Sequence, residues 1–572
     1  MVDVVIRGGT LVDGEGGEPY EADVAIRDGV VVEVGKVATR GAEEIDAKGL
    51  LVTPGWVDIH THYDGQATWD SRLTPSSIQG STTVVMGNCG VGFAPARATD
   101  HDALIRLMEG VEDIPGAALH EGLAWNWESF GDYLDALDRV PRDIDIAAQI
   151  PHGALRVFVM GERGAVRAPA TEEEAAQMGG LVRDALKAGA IGFSTTRTAA
   201  HRTADGAFTP TLGAADAEML AIAKGMREAG SGVLQWVSDF REMDHEFDLL
   251  KELLTVSGRP LSFSIVQADV FPGQWQELLR RLDEAVGQGY DIRGQVQGRP
   301  VGLMLGLQGS VHPFISRPSY KAIADKPLAE RVAIMRDPEF RARLLAEQPI
   351  KDMPFVNSVV GAYHKMFELG DPPNYEPHPS ESLAARAAAE GRAADEIAYD
   401  RMIADDGAGF LFFTLHNYID GDLENALTML RNPNTLFGLS DGGAHVGAIC
   451  DVSVPTYMLS HWCRDRTRGA KLDLPFVVKS QSRDTARAVG LMDRGVVAPG
   501  YKADINVIDF DRLQLRPPRM VYDLPAGARR LMQEADGYVA TLKSGQVTYR
   551  DGHPTGPLPG ELIRGHRRAP AG

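Results

Sequence analysis

Apolar positions in the central part of the chain change period in a regular way. Short apolar runs such as Thr82–Met86 alternate with longer stretches, such as Ala214–Ala229, in which apolar residues recur every three or four positions. The first pattern is typical of buried strands and the second of amphipathic helices. The predicted strands are residues 56–62, 82–86, 144–150, 190–194, 232–237, 261–266, 291–296 and 435–440. Eight alternating units predict an α/β fold, a (β/α)8 barrel of the TIM type, with its active site at the carboxyl ends of the strands.

The two ends of the chain follow a different pattern. Residues 1–50 and the segment from residue 503 onward alternate short strands with glycine-containing turns, as in Val30–Val34 and Tyr538–Leu542. This pattern favours a small β-sandwich assembled from both chain ends. We therefore predict three parts: residues 1–52 as the N-terminal part of the sandwich, residues 53–490 as the barrel, and residues 491–572 as the C-terminal part of the sandwich and a tail.

An insertion separates the last two barrel strands. Residues 299–434 are far more than one crossover requires, and they include charged and Ala-rich helical stretches at 328–347 and 383–391 and an apolar run at 410–415. We predict a lid or substrate-shaping subdomain over the barrel mouth. The alternative is a mobile surface insertion.

Composition narrows the class of protein. With 572 residues, 44% of them hydrophobic, the chain can bury a large core, and its net charge of −21 disfavours nucleic acid or an anionic membrane as a partner. Three cysteines cannot build a disulfide framework, the N-terminus lacks a secretory signal pattern, and no apolar run is long enough to span a membrane. We expect a cytoplasmic protein that acts on a small-molecule substrate. The sequence is compatible with a homo-oligomer.

The first predicted strand carries candidate metal ligands. Its sequence ends in His60-Thr-His62, and residues two apart on a strand point to the same side. Two imidazoles at that spacing can bind one metal ion as neighbouring ligands. The alternative is a hydrogen-bonded pair in a turn. The position at the end of a predicted barrel strand favours the metal site.

Other strand ends add further candidates. Cys89 lies in a glycine-flanked turn after the second strand, where it is either a metal ligand or a small buried apolar group. Asp441 follows the eighth strand, and a carboxylate there suits a metal ligand that also takes a proton from water. His445 is a ligand, a hydrogen-bond donor to substrate or a structural residue. His152, after the third strand, is an outer candidate for the same donor role.

The motifs Pro-Gly-x-x-Asp-x-His-x-His, Gly-Asn-Cys-Gly and Ser-Asp-Gly together resemble the amidohydrolase superfamily, and within it the N-acyl-D-amino-acid deacylases. The resemblance covers nearly the whole chain, including the split β-sandwich. It implies a metal-dependent hydrolase in which His60, His62, Cys89 and Asp441 serve the metal site. Asp441 would then act as the general base and acid, with His152 or His445 stabilising the oxyanion.

The chain also departs from that family. The deacylases usually add histidines at the ends of the fifth and sixth strands, where this chain has Gln235 and Gln267. The fourth strand offers no lysine for carbamylation, and residues 446–454 lack the arginine that grips the substrate carboxylate. Glutamine amides are poor zinc ligands, so we expect one zinc ion, Zn²⁺, rather than two.

Three functions follow from these observations. The first is a zinc-dependent amidohydrolase that cleaves a non-peptide carbon–nitrogen bond, similar to the N-acyl-amino-acid deacylases. The second is a hydrolase that opens a cyclic amide, imide or lactone. The third is a non-catalytic barrel that retained only binding. Zinc content separates the enzymes from the binding protein.

Overall fold

Both ends of the chain contribute to one β-sheet. The computed structural model describes residues 2–351 and 354–570, and with strands numbered along the chain this sheet contains β1 (Val2–Leu11), β2 (Tyr20–Arg27), β3 (Val30–Gly35), β4 (Gly41–Asp46), β5 (Leu51–Pro54), β17 (Ile505–Ile508), β22 (Tyr538–Lys543), β23 (Gln546–Arg550) and β24 (His553–Pro554). The sheet branches at β1, whose first half pairs with β4 and whose last two residues pair with β5. The antiparallel pair β5–β17 joins the two chain ends. The predicted β-structure from both ends is confirmed.

The central block forms the predicted barrel. Within the described residues, eight parallel strands run in the order of the sequence: β6 (Trp56–Asp58), β7 (Ser81–Met86), β8 (Asp145–Pro151), β9 (Gly192–Arg197), β10 (Val233–Ser238), β11 (Leu261–Ser264), β12 (Ile292–Val296) and β16 (Thr435–Phe437). A parallel bridge between Thr61 and Gly442 joins the segments that follow β6 and β16, and so closes the sheet. The first strand is shorter than predicted, because it ends at Asp58 and the segment with His60 and His62 continues beyond it.

Helices fill the crossovers between the barrel strands. They are α1 (His101–Glu112), α2 (Gly116–Gly122), α3 (Phe130–Asp138), α4 (His152–Met160), α5 (Glu162–Ala165), α6 (Glu172–Ala188), α7 (Asp216–Ala229), α8 (Met243–Ser257) and α9 (Gln274–Gly287). The predicted helices at 214–229 and 276–287 correspond to α7 and α9. Their apolar faces pack with the barrel strands in one large core that includes Phe193, Trp236 and Leu282.

The insertion is a folded unit with its own core. It contains an antiparallel sheet of β13 (Val301–Leu305), β14 (Met366–Phe367) and β15 (Leu411–His416), with helices α10 (Pro318–Lys321), α11 (Leu328–Met335), α12 (Pro338–Ala346), α13 (Pro354–Val359), α14 (Leu383–Glu390) and α15 (Ala394–Ile403). The central strand β15 is the apolar run seen in the sequence. Its residues Leu411 and Phe413 pack against Met335 and Tyr399 in a separate cluster of buried side chains. The role of a lid stays a prediction.

The last part of the chain returns across the barrel. Helix α16 (Glu424–Arg431) precedes β16, and α17 (Val454–Tyr457), α18 (Leu474–Lys479) and α19 (Thr485–Ala488) follow it, with π-helical turns at Met458–Asp465 and Ser480–Asp484. Two short pairs, β18 (Gln514–Leu515) with β21 (Ala535–Asp536) and β19 (Arg519–Leu524) with β20 (Ala528–Met532), complete the fold. Among the described residues, no helix has the length and apolar character needed to cross a bilayer.

A buried charge network joins the barrel to the sheet from the chain ends. The Asp145 carboxylate on β8 accepts a hydrogen bond from Arg494 at 2.6 Å and lies 3.1 Å from Lys543 Nζ on β22, and all three side chains are at most 1% exposed. Burial alone would raise the pKa of Asp145, but the positive charges of Lys543 and Arg494 lower it below its usual range. The ionised carboxylate therefore stabilises the fold above the unfolded-state pKa, and this contribution is lost as the pH falls through the folded-state pKa.

We expect Asp145→Asn to lower the free energy of unfolding by about 1–3 kcal/mol, because it removes the carboxylate that Arg494 and Lys543 share, while each cation keeps a second partner, Asp493 at 2.9 Å and Asp504 at 2.8 Å. Urea denaturation at neutral pH measures the change. The matched control is Asp135→Asn. The Asp135 side chain is 57% exposed and pairs with Arg564, so this substitution should change the free energy of unfolding by less than about 1 kcal/mol. Equal effects of the two substitutions would contradict the interpretation of the network.

Candidate metal centre

Backbone hydrogen bonds bring the end of the first barrel strand against the end of the last. The Asp441 N–H donates to the carbonyl of His60 at 3.1 Å, and the His62 N–H donates to the carbonyl of Gly442 at 2.7 Å. Asp441 itself has a left-handed backbone, with φ of 50°. The adjacent glycines permit this close approach, since a Cβ at position 443 would lie 3.1 Å from the His62 backbone. The imidazoles and the carboxylate therefore converge although they are far apart in sequence.

A tight turn after β7 adds the cysteine. The Asn88 side-chain amide donates to the carbonyls of Thr61 at 3.1 Å and Val85 at 2.9 Å, which ties the turn to the first strand. Cys89 then takes a left-handed backbone with φ of 54°. Such a conformation costs a non-glycine residue about 1 kcal/mol or more, and it persists where the surroundings impose it.

Four potential ligand side chains meet at this point. His60 Nε2 lies 3.3 Å from Cys89 Sγ and 3.5 Å from Asp441 Oδ1, and His62 Nε2 lies 3.7 Å from the same Asp441 oxygen. The histidines are 1% exposed, whereas the Asp441 side chain is 18% exposed. In the described part of the chain, His60, His62 and Cys89 form the one group of three such side chains whose ligand atoms all lie within 4.8 Å of one another.

The spacing and chemistry of these atoms fit a zinc ion. Ligands at about 2.0–2.3 Å from a tetrahedral zinc lie roughly 3.3–3.7 Å from one another. The distances from His60 to Cys89, from His60 to Asp441 and from His62 to Asp441 fall in this range. Imidazole, thiolate and carboxylate are the ligand types that zinc prefers. The donor set is therefore compatible with one ion.

The outer nitrogen of His60 has a hydrogen-bond partner. His60 Nδ1 lies 2.8 Å from Gln295 Oε1, and the Gln295 amide NH2 donates to Ser262 Oγ at 2.8 Å. Because the amide nitrogen is engaged by Ser262, the amide oxygen faces His60 and accepts from Nδ1–H. This leaves the Nε2 lone pair directed at the cluster, as metal-ligating histidines require. On His62, Nδ1 lies 3.3 Å from Glu112 Oε1, and both atoms are buried without a hydrogen bond.

The electrostatics of the site favour a bound cation. Burial raises the pKa of the Cys89 thiol well above its usual value, and the nearby carboxylates of Glu112 and Asp441 raise it further. Burial lowers the pKa of His60 and His62. Burial would raise the pKa of Asp441, but the nearby imidazoles of His62 and His60 hold it below its usual range. Several groups that carry or can acquire negative charge therefore surround the point where the donor atoms meet.

His445 lies at the edge of this cluster. Its Nε2 is 3.5 Å from Glu112 Oε2 and its side chain is 25% exposed, so it is accessible from the barrel mouth. The pKa of His445 is lowered by burial and partly restored by the charge of Asp441. The exposure of His445 and the effect of Asp441 on its pKa fit a group that contacts the substrate.

The structure places His152 elsewhere. Its Nδ1 lies 2.8 Å from Thr195 Oγ1 and its Nε2 lies 2.7 Å from Glu218 Oε1, and the side chain is fully buried. Glu218 in turn pairs with Arg156, so His152 belongs to a buried network between β9 and the helices α4 and α7. Both ring nitrogens are engaged, and we therefore assign His152 no contact with substrate.

The two glutamines at the family's histidine positions differ in their surroundings. Gln235 lies in the cluster, where its Oε1 accepts from the Cys89 N–H at 3.0 Å and its Nε2 is buried without a hydrogen-bond partner. Gln267 instead bonds the insertion: its N–H donates to Asn417 Oδ1 at 2.8 Å and its Nε2 donates to Asp420 at 3.2 Å. The end of the sixth strand thus holds the insertion.

Sequence reasoning missed one group at the site. Glu112, on α1, contacts both His62 and His445. A signal was available, because Glu112 follows Leu104 and Met108 on the apolar face of the helix, and a carboxylate on such a face requires a partner. His201 follows the fourth strand, and its Nδ1 lies 3.1 Å from Thr196 Oγ1.

Comparison with known protein families gives a match over most of the chain. A model of the amidohydrolase family matches residues 43–549. A D-aminoacylase of Alcaligenes xylosoxydans xylosoxydans is 32% identical over 266 residues, which cover 46% of this chain and 49% of that protein. An N-acyl-D-aspartate deacylase of the same organism is 34% identical over 269 residues, with the same shares covered. The chain thus spans about half the length of the curated relatives it matches.

Solved structures resemble the whole fold. A D-aminoacylase crystal structure described as defining a novel subset of amidohydrolases aligns with a TM-score of 0.65 and 23% identity, over 99% of this chain and all of that chain. An N-acyl-D-glutamate deacylase from Bordetella bronchiseptica, complexed with zinc and a phosphonate mimic of the tetrahedral intermediate, aligns with a TM-score of 0.64 and 22% identity, over 98% and 99% of the two chains. At these identities the likeness supports the fold.

Proposed function

The chain belongs to the amidohydrolase family, and we propose that it is a zinc-dependent hydrolase of the N-acyl-amino-acid deacylase type. It would cleave the carbon–nitrogen bond of a linear amide. The observation that carries the proposal is the convergence of His60, His62 and Cys89, whose ligand atoms all lie within 4.8 Å of one another, with Asp441, which lies 3.5 Å from His60 and 3.7 Å from His62. The deacylase names of the curated relatives support the reaction type.

These four side chains would hold the ion. The chemistry that bound zinc supplies is a lower pKa for a coordinated water, toward about 7, and polarisation of the scissile carbonyl. One ion is proposed because Gln235, which offers an amide instead of an imidazole, lies where a further ligand would be needed.

Asp441 is the proposed general base. Its pKa is held low by His62 and His60, so the carboxylate is ionised at neutral pH, and its side chain is the most exposed of the four. A base must be ionised and reachable by the proton it accepts. Asp441 would take a proton from the attacking water and deliver it to the leaving nitrogen, so that the amine departs uncharged.

His445 is the proposed substrate-facing donor. It is accessible at the mouth, and its contact with Glu112 through Nε2 leaves Nδ1 free to face the substrate. A hydrogen bond to the carbonyl oxygen that strengthens as charge develops there lowers the barrier to attack. His152 has no part in this step because its ring nitrogens bond Thr195 and Glu218.

The test is turnover of matched amides by zinc-loaded protein. The panel contains N-acetyl-D- and N-acetyl-L-amino acids, the same compounds with the carboxylate amidated, and two cyclic amides, dihydrouracil and hydantoin. We expect release of free amine from a linear amide. Because residues 446–454 include no arginine or lysine, we also expect the amidated compounds to be hydrolysed. Ring opening alone would support the cyclic-amide alternative, and a protein with neither zinc nor turnover would be a binding protein.

A further inference from the structure

Glu112 is a carboxylate buried beside the cluster of potential metal ligands. It ends α1, and its side chain is 1% exposed. A buried acidic group is tolerated only where neighbouring groups satisfy it, so its contacts indicate what it does.

Those contacts are two histidines from opposite ends of the barrel sequence. Glu112 Oε1 lies 3.3 Å from His62 Nδ1, and Glu112 Oε2 lies 3.5 Å from His445 Nε2. The backbone is joined as well, because the His445 N–H donates to the Glu112 carbonyl. One carboxylate therefore spans the segment after the first barrel strand and the segment after the last.

The position of Glu112 is fixed by its neighbour. Asp113 accepts a hydrogen bond from Ser310 Oγ at 2.8 Å, and Arg529 donates to the same hydroxyl at 3.1 Å. The Ser310 N–H also donates to the Gly447 carbonyl at 3.0 Å. The turn that carries Glu112 is thus held by the insertion, by the loop after β16 and by the hairpin β19–β20.

We propose that Glu112 is a positioning residue for the metal hydrolase described above. Its Oε1 and His62 Nδ1 are both buried without a hydrogen bond and lie 3.3 Å apart, so the carboxylate orients the ring with Nε2 toward Asp441, and it holds His445 at the mouth of the same site. This inference rests on the proposed function. A carboxylate on the outer nitrogen of a metal-ligating histidine fixes the tautomer and the ring orientation and makes the ligand more basic.

The test substitutes Glu112→Gln, which keeps the shape and removes the charge. We expect zinc affinity, measured by competition with a chromophoric chelator, to fall about 10- to 100-fold with the stoichiometry unchanged at one ion. The visible spectrum of the cobalt-substituted protein should shift, because the ligand field changes. Glu112→Asp keeps the charge but not the reach, and we expect an affinity between those of the wild type and Glu112→Gln. This variant supplies the comparison if Glu112→Gln does not fold.

The matched control is Glu218→Gln. Glu218 is an equally buried carboxylate that contacts a histidine, His152, at 2.7 Å, but outside the metal cluster. The Glu218→Gln variant should have a lower free energy of unfolding, with unchanged zinc affinity and an unchanged cobalt spectrum. Unchanged zinc affinity in both Glu112 variants would overturn the inference. Two ions in the wild type and one in Glu112→Gln would overturn it as well, since Glu112 would then be a ligand. Absence of zinc binding in the wild type would instead refute the proposed function.

Discussion

Replacing Asp441 with asparagine is expected to lower kcat by about 10²- to 10⁴-fold while the barrel stays folded. The amide keeps the shape of the side chain and the backbone bond to the His60 carbonyl, but it cannot accept the proton of the attacking water. It also removes the negative charge that His60 and His62 face at 3.5 and 3.7 Å, so we expect weaker zinc binding too.

Initial rates at saturating zinc separate the two effects, because they report the loss of the base once the site is filled. The matched control is Asp216→Asn, the same chemical change on α7, where the carboxylate is 38% exposed and pairs with His245. That variant should retain turnover. Full activity in Asp441→Asn would refute the assignment of Asp441 as the base.

The second large effect is expected from His60→Asn, which should abolish stable zinc binding and with it turnover. His60 Nε2 contacts both Cys89 and Asp441, so its removal takes away the ligand at the centre of the cluster. Loss of an outer partner typically costs 10- to 100-fold in metal affinity, and loss of a ligand should cost more than about 100-fold. Added zinc should then raise the melting temperature of the wild type but not of the variant, since an ion that binds the native state stabilises it.

The control for His60→Asn is His152→Asn. His152 is equally buried, but it bonds Thr195 and Glu218 instead of the cluster. Its loss should lower the free energy of unfolding by about 1–3 kcal/mol, because the buried Glu218 loses its contact with the imidazole. The zinc content should stay unchanged. Loss of zinc from the His152→Asn variant would indicate that His152 does contribute to the metal site.

Much of the fold could be predicted from the sequence because period and position carry the information. Runs such as Thr82–Met86 became strand β7, and the amphipathic stretch at 214–229 became α7. Parallel strands in a closed barrel bring their carboxyl ends together, so His60, His62, Cys89 and Asp441 could be expected to meet. Their contact follows from the topology rather than from any local feature.

The remaining site residues depend on side-chain direction, which spacing does not determine. His152 follows a barrel strand as Cys89 does, yet its ring lies against Glu218 between strand and helix, because the chain enters α4 at that residue. Glu112 lies at the end of α1 on its apolar face, and its role depends on contact with the loop after β16, hundreds of residues later. The sequence pattern places Glu112 on the apolar face of the helix, but it does not identify the residues that Glu112 contacts.

The most direct measurement of the central claim is the location of zinc in crystals of the zinc-loaded protein by anomalous scattering. We predict one peak per chain, about 2.0–2.3 Å from His60 Nε2, His62 Nε2, Cys89 Sγ and an Asp441 oxygen. A zinc ion held by other side chains, or no peak among these four, would contradict the account.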